Sequence, residues 1–320
     1  MQRFSTPLFI FLSFASVSSA APPPIFERSN LVAWCIVPFD AKHRTPEQRV
    51  EMLQRLGFTK YAYDWRTEHL PTFERELLEL KRRRIELTAV WFPAALNADA
   101  IVILGALRKH GIKTQLWVTM SGGDPAKNAD EQRRKVVEHA KALRPIAEAA
   151  ASIGCRVGLY NHGNWFGEPE NQLAIIDELK FPNVGIVYNL HHGHAHLDRF
   201  PALLKRMQPH LYAFNLNGMV KDGEAKGRKI LPLGQGDLDL GLLQTIAASG
   251  YRGPIGILGH TDDDAEERLK DNLDGLDWLL PQLEGKPPGP KPKPRTPVAG
   301  VATTPRTSGW IADGRPRGFR

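Results

Sequence analysis

An eightfold alternation of short apolar runs with longer amphipathic stretches fills the sequence from residue 31 to residue 283. Residues 31–39 are a continuous apolar run suited to a strand buried on both faces. Thr45-Pro46-Glu47-Gln48 follows, with a threonine to cap a helix and a proline at its first position; that helix runs to Gly57. The same pairing recurs as strand 60–65 with helix 70–84, strand 85–93 with helix 98–111, and strand 112–120 with helix 128–154. The second half repeats it as 155–163 with 168–179, 184–190 with 197–207, 210–217 with 237–250, and 254–260 with 264–283.

Eight strand–helix units in about 250 residues predict an α/β fold of the (β/α)8 barrel type. A doubly wound open sheet is the alternative, but no G-x-G-x-x-G phosphate turn follows the first strand.

The ends of the chain read differently. Residues 1–21 carry Arg3, the apolar stretch Leu8-Phe9-Ile10-Phe11-Leu12 and the small residues Ser18-Ser19-Ala20, the pattern of a signal peptide cut after Ala20 or Ala21. The expectation is an exported product, periplasmic or secreted, with no transmembrane domain in the mature chain. Residues 22–285 then form the barrel domain, and 286–320 a Pro-, Lys- and Arg-rich tail expected to be disordered. The formal net charge is +7, and the tail holds eight basic residues against one acid, Asp313, so it accounts for that excess. A near-neutral folded domain lacks the charge for a nucleic-acid partner, whereas the tail suits an anionic surface. Cys35 and Cys155 are too few for a disulfide framework and read as two buried thiols.

Chemistry in such a barrel sits at the C-terminal ends of the strands. Six of the 11 histidines fall there: His162 after strand five, His191, His192, His194 and His196 after strand six, and His260 after strand eight. Imidazole exchanges protons near neutral pH or ligates a transition metal. His162, His192 and His260 are the candidate catalytic residues, and the same three, with His191 or His194 in support, are the candidate ligands if a divalent transition metal is bound. His194 and His196 taken alone read as structural hydrogen-bonding groups.

Asn161, Asn189, Asn215 and Asn217 lie at the same edges and supply paired donors and acceptors for a hydroxyl-rich ligand. Tyr160, Trp65, Trp165 and Gln235 complete the candidate substrate-binding set, the tryptophans as faces for sugar rings. Trp34 and Trp117 read as core. The long segment after strand seven, 220–237, is expected to form a lid or to contact substrate, with Asp237 capping the next helix.

Three of these segments carry a resemblance. Leu159-Tyr160-Asn161-His162-Gly163, the strand from Val184 ending Tyr188-Asn189-Leu190-His191-His192, and Leu233-Gly234-Gln235-Gly236-Asp237 resemble motifs of the xylose isomerase-like TIM barrels. That superfamily includes sugar-phosphate isomerases and epimerases and the AP endonuclease family 2 proteins. The resemblance implies one divalent metal held by a Glu, an Asp, a His and a Glu from strands five to eight. The corresponding positions here are Tyr160, Asn189, Asn215 or Asn217, and Leu258 or Gly259. Loss of three carboxylates leaves a hard cation without its charge partners. A metal site rebuilt from imidazoles and a metal-free mouth both stay open.

The resulting expectation is a protein of isomerase, epimerase or lyase type, acting on a small-molecule carbohydrate by His-mediated proton transfer. The alternative is a non-catalytic carbohydrate-binding barrel that has lost the family metal site.

Overall fold

The computed structural model describes residues 24–295. Eight parallel strands close on themselves in sequence order: β1 Leu31–Trp34, β2 Lys60–Tyr63, β3 Glu86–Phe92, β4 Gln115–Val118, β5 Arg156–Tyr160, β6 Val184–Asn189, β7 Leu211–Leu216 and β8 Ile255–Leu258, with β8 paired to β1. Around them run α1 Pro46–Arg55, α2 Phe73–Arg82, α3 Ala98–His110, α4 Ala129–Ser152, the one-turn α5 Asn164–Gly167, α6 Pro169–Leu179, α7 Phe200–Met207, α8 Asp239–Ala248 and α9 Ala265–Leu283. This is the (β/α)8 barrel that the alternation predicts. No helix among the described residues is long and apolar enough to cross a membrane. The expected signal segment, 1–21, lies outside the described residues.

Local chemistry sets the helix starts. Thr45 and Gln48 form a reciprocal capping box ahead of Pro46, and the side chains of Asn97, Asn128 and Asp264 accept the first free N–H groups of α3, α4 and α9. Gly111, at φ 64°, ends α3 in the left-handed conformation that a Cβ disfavours. Strand β1 stops at Trp34, well short of the expected Phe39, because Cys35 turns to φ 59° and ends the ladder.

The helix-facing sides of the strands build the main core with the inner faces of the helices. A second cluster fills the barrel itself: Val32, Trp34, Ala62, Ala89, Trp117, Tyr160, Val187, Ala213 and Leu258, with Trp91 against them. Small residues make room for large rings. At Gly158 a Cβ would stand 2.5 Å from Val187 and 3.0 Å from Trp117, and at Gly256 one would stand 1.8 Å from Asn215 Oδ1. Period-two alternation then aims the next inward position of each strand at the mouth.

Two expectations are corrected. Asp237 is exposed and does not cap α8; Asp239 does the holding, accepting N–H groups of Met219, Gly234 and Gly236 at 2.6, 2.7 and 3.1 Å. The Gly-rich turn brings two backbone donors, and Met219 beyond β7 a third, to a buried carboxylate at 239, a convergence that sequence distance hides.

The segment from 286 is not uniformly loose either. Residues 286–295 run back along α9: Trp278 Nε1 donates to the Gly289 carbonyl, and Arg295 bonds Asp271 at 3.0 Å and Asp274 at 2.7 Å. A buried acid on α9 needs a partner, and the strap supplies it. Residues 296–320, the rest of the expected tail, lie outside the described residues.

Candidate active site

Beneath the mouth, the barrel is closed by a neutral layer. Trp34 and Trp117 meet edge to face at 4.6 Å, and Trp91 meets Tyr160 at 5.0 Å. The Tyr160 hydroxyl is the hub: Trp34 Nε1 donates to it at 3.1 Å and the Asn189 amide donates from the other side. Asn215 adjoins the same hydroxyl, with neither amide atom in hydrogen-bonding geometry. Leu258 completes the layer. These are the four positions at which the resemblance implies metal ligands, and they do converge, but on a phenol, two amides and a methyl-bearing chain. Such a donor set does not fit a divalent cation.

Above that layer the histidines gather. The ring centres of His162 and His192 are 4.5 Å apart, those of His192 and His191 3.6 Å, and His191 lies 5.7 Å from His260. His260 packs at 3.7 Å on Phe39, over which the Arg66 guanidinium sits at 5.4 Å. These rings pack side by side, and among the described residues no group of three or more His, Cys, Asp or Glu is placed to hold a metal ion. His162, His192 and His260 therefore share the mouth without forming the ligand set considered for them. Among the described residues neither His192 nor His260 hydrogen-bonds to another protein group, and His162 does so only with its own backbone.

Burial holds this cluster neutral. It pushes His260 down to about 3, with Arg66 and His162 adding repulsion. His192 is lowered well below the usual histidine value by burial, then by His162 and Lys229; His191 by burial, then by His192 and His260. His162 is exposed to solvent, and the protein crowded around it, followed by Lys229, lowers its pKa less severely.

The other candidates divide. His196 is structural, bonded to the Tyr188 hydroxyl at 2.9 Å and to Glu168, and His194 bonds the Lys229 carbonyl at 2.9 Å. Asn161 is a staple rather than a substrate group: its Oδ1 accepts the Asn189 N–H at 2.7 Å and its Nδ2 donates to the Asn189 carbonyl at 3.1 Å. Asn189 is likewise consumed, holding Tyr160 and the His191 N–H. Asn217 donates to the Lys229 and Gly218 carbonyls but leaves its Oδ1 unpartnered.

Gln235 is outside the site, donating to the Pro292 carbonyl of the strap at 3.0 Å. Trp165 is also outside; it is buried between α5 and α4, bonded to Gln132 and packed against the His139 ring at 4.9 Å. A helical turn at 164–167, where the sequence suggests a loop, carries it away. Trp65 donates to the Trp91 carbonyl at 2.6 Å and lines a cleft beside the mouth. The segment after β7 folds back, bridging Gly218 to Leu231 and bringing Ile230 against the barrel's inner cluster.

One residue escapes sequence reasoning. Asp64 stands two positions after inward-facing Ala62, so it enters the barrel mouth, where its Oδ1 accepts the Val37 N–H at 3.1 Å and its buried Oδ2 has no partner. Burial raises it to about 6, against the opposing pull of Arg66 and the Val37 N–H. The Cys35 thiol adjoins it and is itself pushed up by burial. Inward alternation from Ala62 is the signal in the sequence that points to it.

The family model described as "Xylose isomerase-like TIM barrel" matches residues 40–281. The chain belongs to that family. A comparison with curated proteins finds none that matches. Solved structures similar to this member of the xylose isomerase-like family include 3-keto-D-glucoside 4-epimerase from E. coli, 17% identical, TM-score 0.59, covering 78% of this chain and 98% of that one. The probable 3-DHS dehydratase of petrobactin synthesis from Bacillus anthracis is 18% identical, TM-score 0.59, with 78% and 98% covered. The IolI protein, solved with a bound zinc atom, is 14% identical, TM-score 0.62, with 79% and 99% covered. At these identities the likeness establishes the shared fold.

Proposed function

We propose that this family member is an exported, carbohydrate-active enzyme of isomerase, epimerase or lyase type that moves protons with imidazoles rather than through a metal-bound sugar. One observation carries the reading: three neutral histidine rings gather over a barrel layer from which every expected metal-ligating charge is missing.

A neutral imidazole accepts a proton from a carbon next to a carbonyl, leaving an enolate and an imidazolium. His162 and His192 are the pair in position for this, with His260 across the mouth. The low pKa of the free rings opposes that step, but the new enolate is an anion beside the new cation, and their attraction restores basicity. Asp64, raised to about 6 and so protonated in part near that pH, is a carboxyl group that can donate to the enolate oxygen or a leaving hydroxyl. Asn217 offers its free amide oxygen to a substrate hydroxyl. The sugar-modifying relatives support a carbohydrate substrate, and the N-terminal segment supports export and a non-phosphorylated sugar.

The neutral layer also favours a second reading, a carbohydrate-binding barrel without turnover. Deuterium uptake from solvent into keto-sugars, followed by NMR, separates the two. An enzyme shows exchange that falls by about a hundredfold or more in His162→Ala or His192→Ala. Sugar binding with no exchange in the unaltered protein refutes catalysis.

A further inference from the structure

Beside the mouth, between the ends of β2 and β3, lies a cleft of about 70 Å3 lined by Trp65, Arg66, Trp91, Asn97, Asp99 and Thr119. A buried water needs roughly 10–15 Å3 of such space, so the cleft holds about five waters, comparable in bulk to one sugar ring. Trp91 belongs to both places: it lines the cleft and also packs on Tyr160 at 5.0 Å and Trp34 at 6.1 Å in the barrel. A ligand in the cleft is thus next to one in the mouth, separated by a single indole.

The lining pairs apolar faces with unengaged polar groups. Asn97 Oδ1 caps α3 by accepting the Ala100 N–H at 2.9 Å, and its Nδ2 makes no hydrogen bond among the described residues. The Asp99 carboxylate likewise has neither ion pair nor hydrogen bond there. Thr119 Oγ1 is buried and has no partner. A buried hydroxyl without a partner costs about 1–3 kcal/mol, which a ligand hydroxyl entering the cleft would offset. Indoles for C–H faces, a carboxylate and an amide for hydroxyl pairs, and a waiting threonine are the chemistry of a pyranose site.

We propose that this cleft is a second saccharide-ring subsite, so that the substrate is a glycoside or disaccharide whose neighbouring ring occupies it while the reacting ring sits under the histidines. The inference rests on the carbohydrate reading of the mouth and adds the size of the substrate. Nothing covalent happens in the cleft; it supplies binding and fixes which end of the sugar meets His162 and His192.

Isothermal titration with free hexoses and with disaccharides built from them tests it. The preferred disaccharide binds about tenfold tighter than its constituent hexose, the worth of one or two added hydrogen bonds to charged or buried groups. Asp99→Ala and Thr119→Val each reduce that preference severalfold, Asp99→Asn restores part of it, and hexose affinity stays unchanged. Equal binding of hexose and disaccharide, or a preference untouched by both variants, overturns the subsite while leaving the mouth's sugar reading intact. No binding of any sugar overturns both.

Discussion

Replacing Tyr160 by Phe removes one oxygen and tests the neutral layer directly. That hydroxyl accepts from Trp34 Nε1 at 3.1 Å and from the Asn189 amide, and both donors are buried, at 2% and 0% exposure. Without it, two buried N–H groups lose their acceptor, each at about 1–3 kcal/mol, while the phenyl ring keeps the packing with Trp91 and Trp117. Allowing for the hydroxyl no longer being desolvated, the loss is about 3 kcal/mol, or roughly 6–12 °C in Tm for a domain of this size. The assay is urea unfolding followed in parallel by tryptophan fluorescence and far-ultraviolet circular dichroism, whose coincidence licenses the two-state treatment. A cycle with Asn189→Leu isolates the Tyr160–Asn189 contact, with a coupling of about 1–2 kcal/mol. A Tyr160→Phe protein within about 0.5 kcal/mol of the unaltered one, or a cycle with no coupling, refutes the claim that this phenol organises the barrel mouth.

Other outcomes follow from neighbouring groups. Asn161→Ala unpairs the buried N–H and C=O of Asn189 and costs about 2–4 kcal/mol in the same assay; a neutral result removes Asn161 as the staple between β5 and β6. The histidines give a signed pH dependence: their folded pKa values lie below the unfolded value near 6.5, so the unfolded chain binds more protons between about pH 6.5 and His260's value of about 3. Their contribution is whole above that window and is lost as pH falls through it, and His260→Phe makes the stability–pH slope shallower there; an unchanged slope contradicts a buried neutral His260. Elemental mass spectrometry of protein purified without chelator finds manganese, zinc and iron far below one equivalent. A full equivalent lost on His192→Ala would show that the imidazoles do gather into a ligand set.

Much of the candidate site was legible in sequence because it follows from fold. Once eight strands are placed, period-two alternation puts His162 and His260 at the mouth, and the turn after β6 adds His191 and His192. Trp165 and Gln235 were misplaced because their surroundings are made by distant segments: α4 claims the indole and the strap at 292 claims the amide. Alternation from Ala62 aims Asp64 inward, but the partner it accepts from, the Val37 N–H, lies past the turn at Cys35, and the sequence alone does not bring the two together.

The sequence by itself determined the barrel, since apolar runs with capped amphipathic helices between them have one economical way to bury both faces of eight strands. It also determined which residue types stand at the strand ends, including the missing carboxylates. Tertiary structure alone decided what those residues do. Whether an amide faces substrate or staples a neighbouring backbone, and whether four imidazoles converge on one point or pack ring against ring, depends on angles and distances between strands far apart in the chain. Hydrogen bonds and desolvation act over a few ångströms, and only the closed barrel sets those few ångströms.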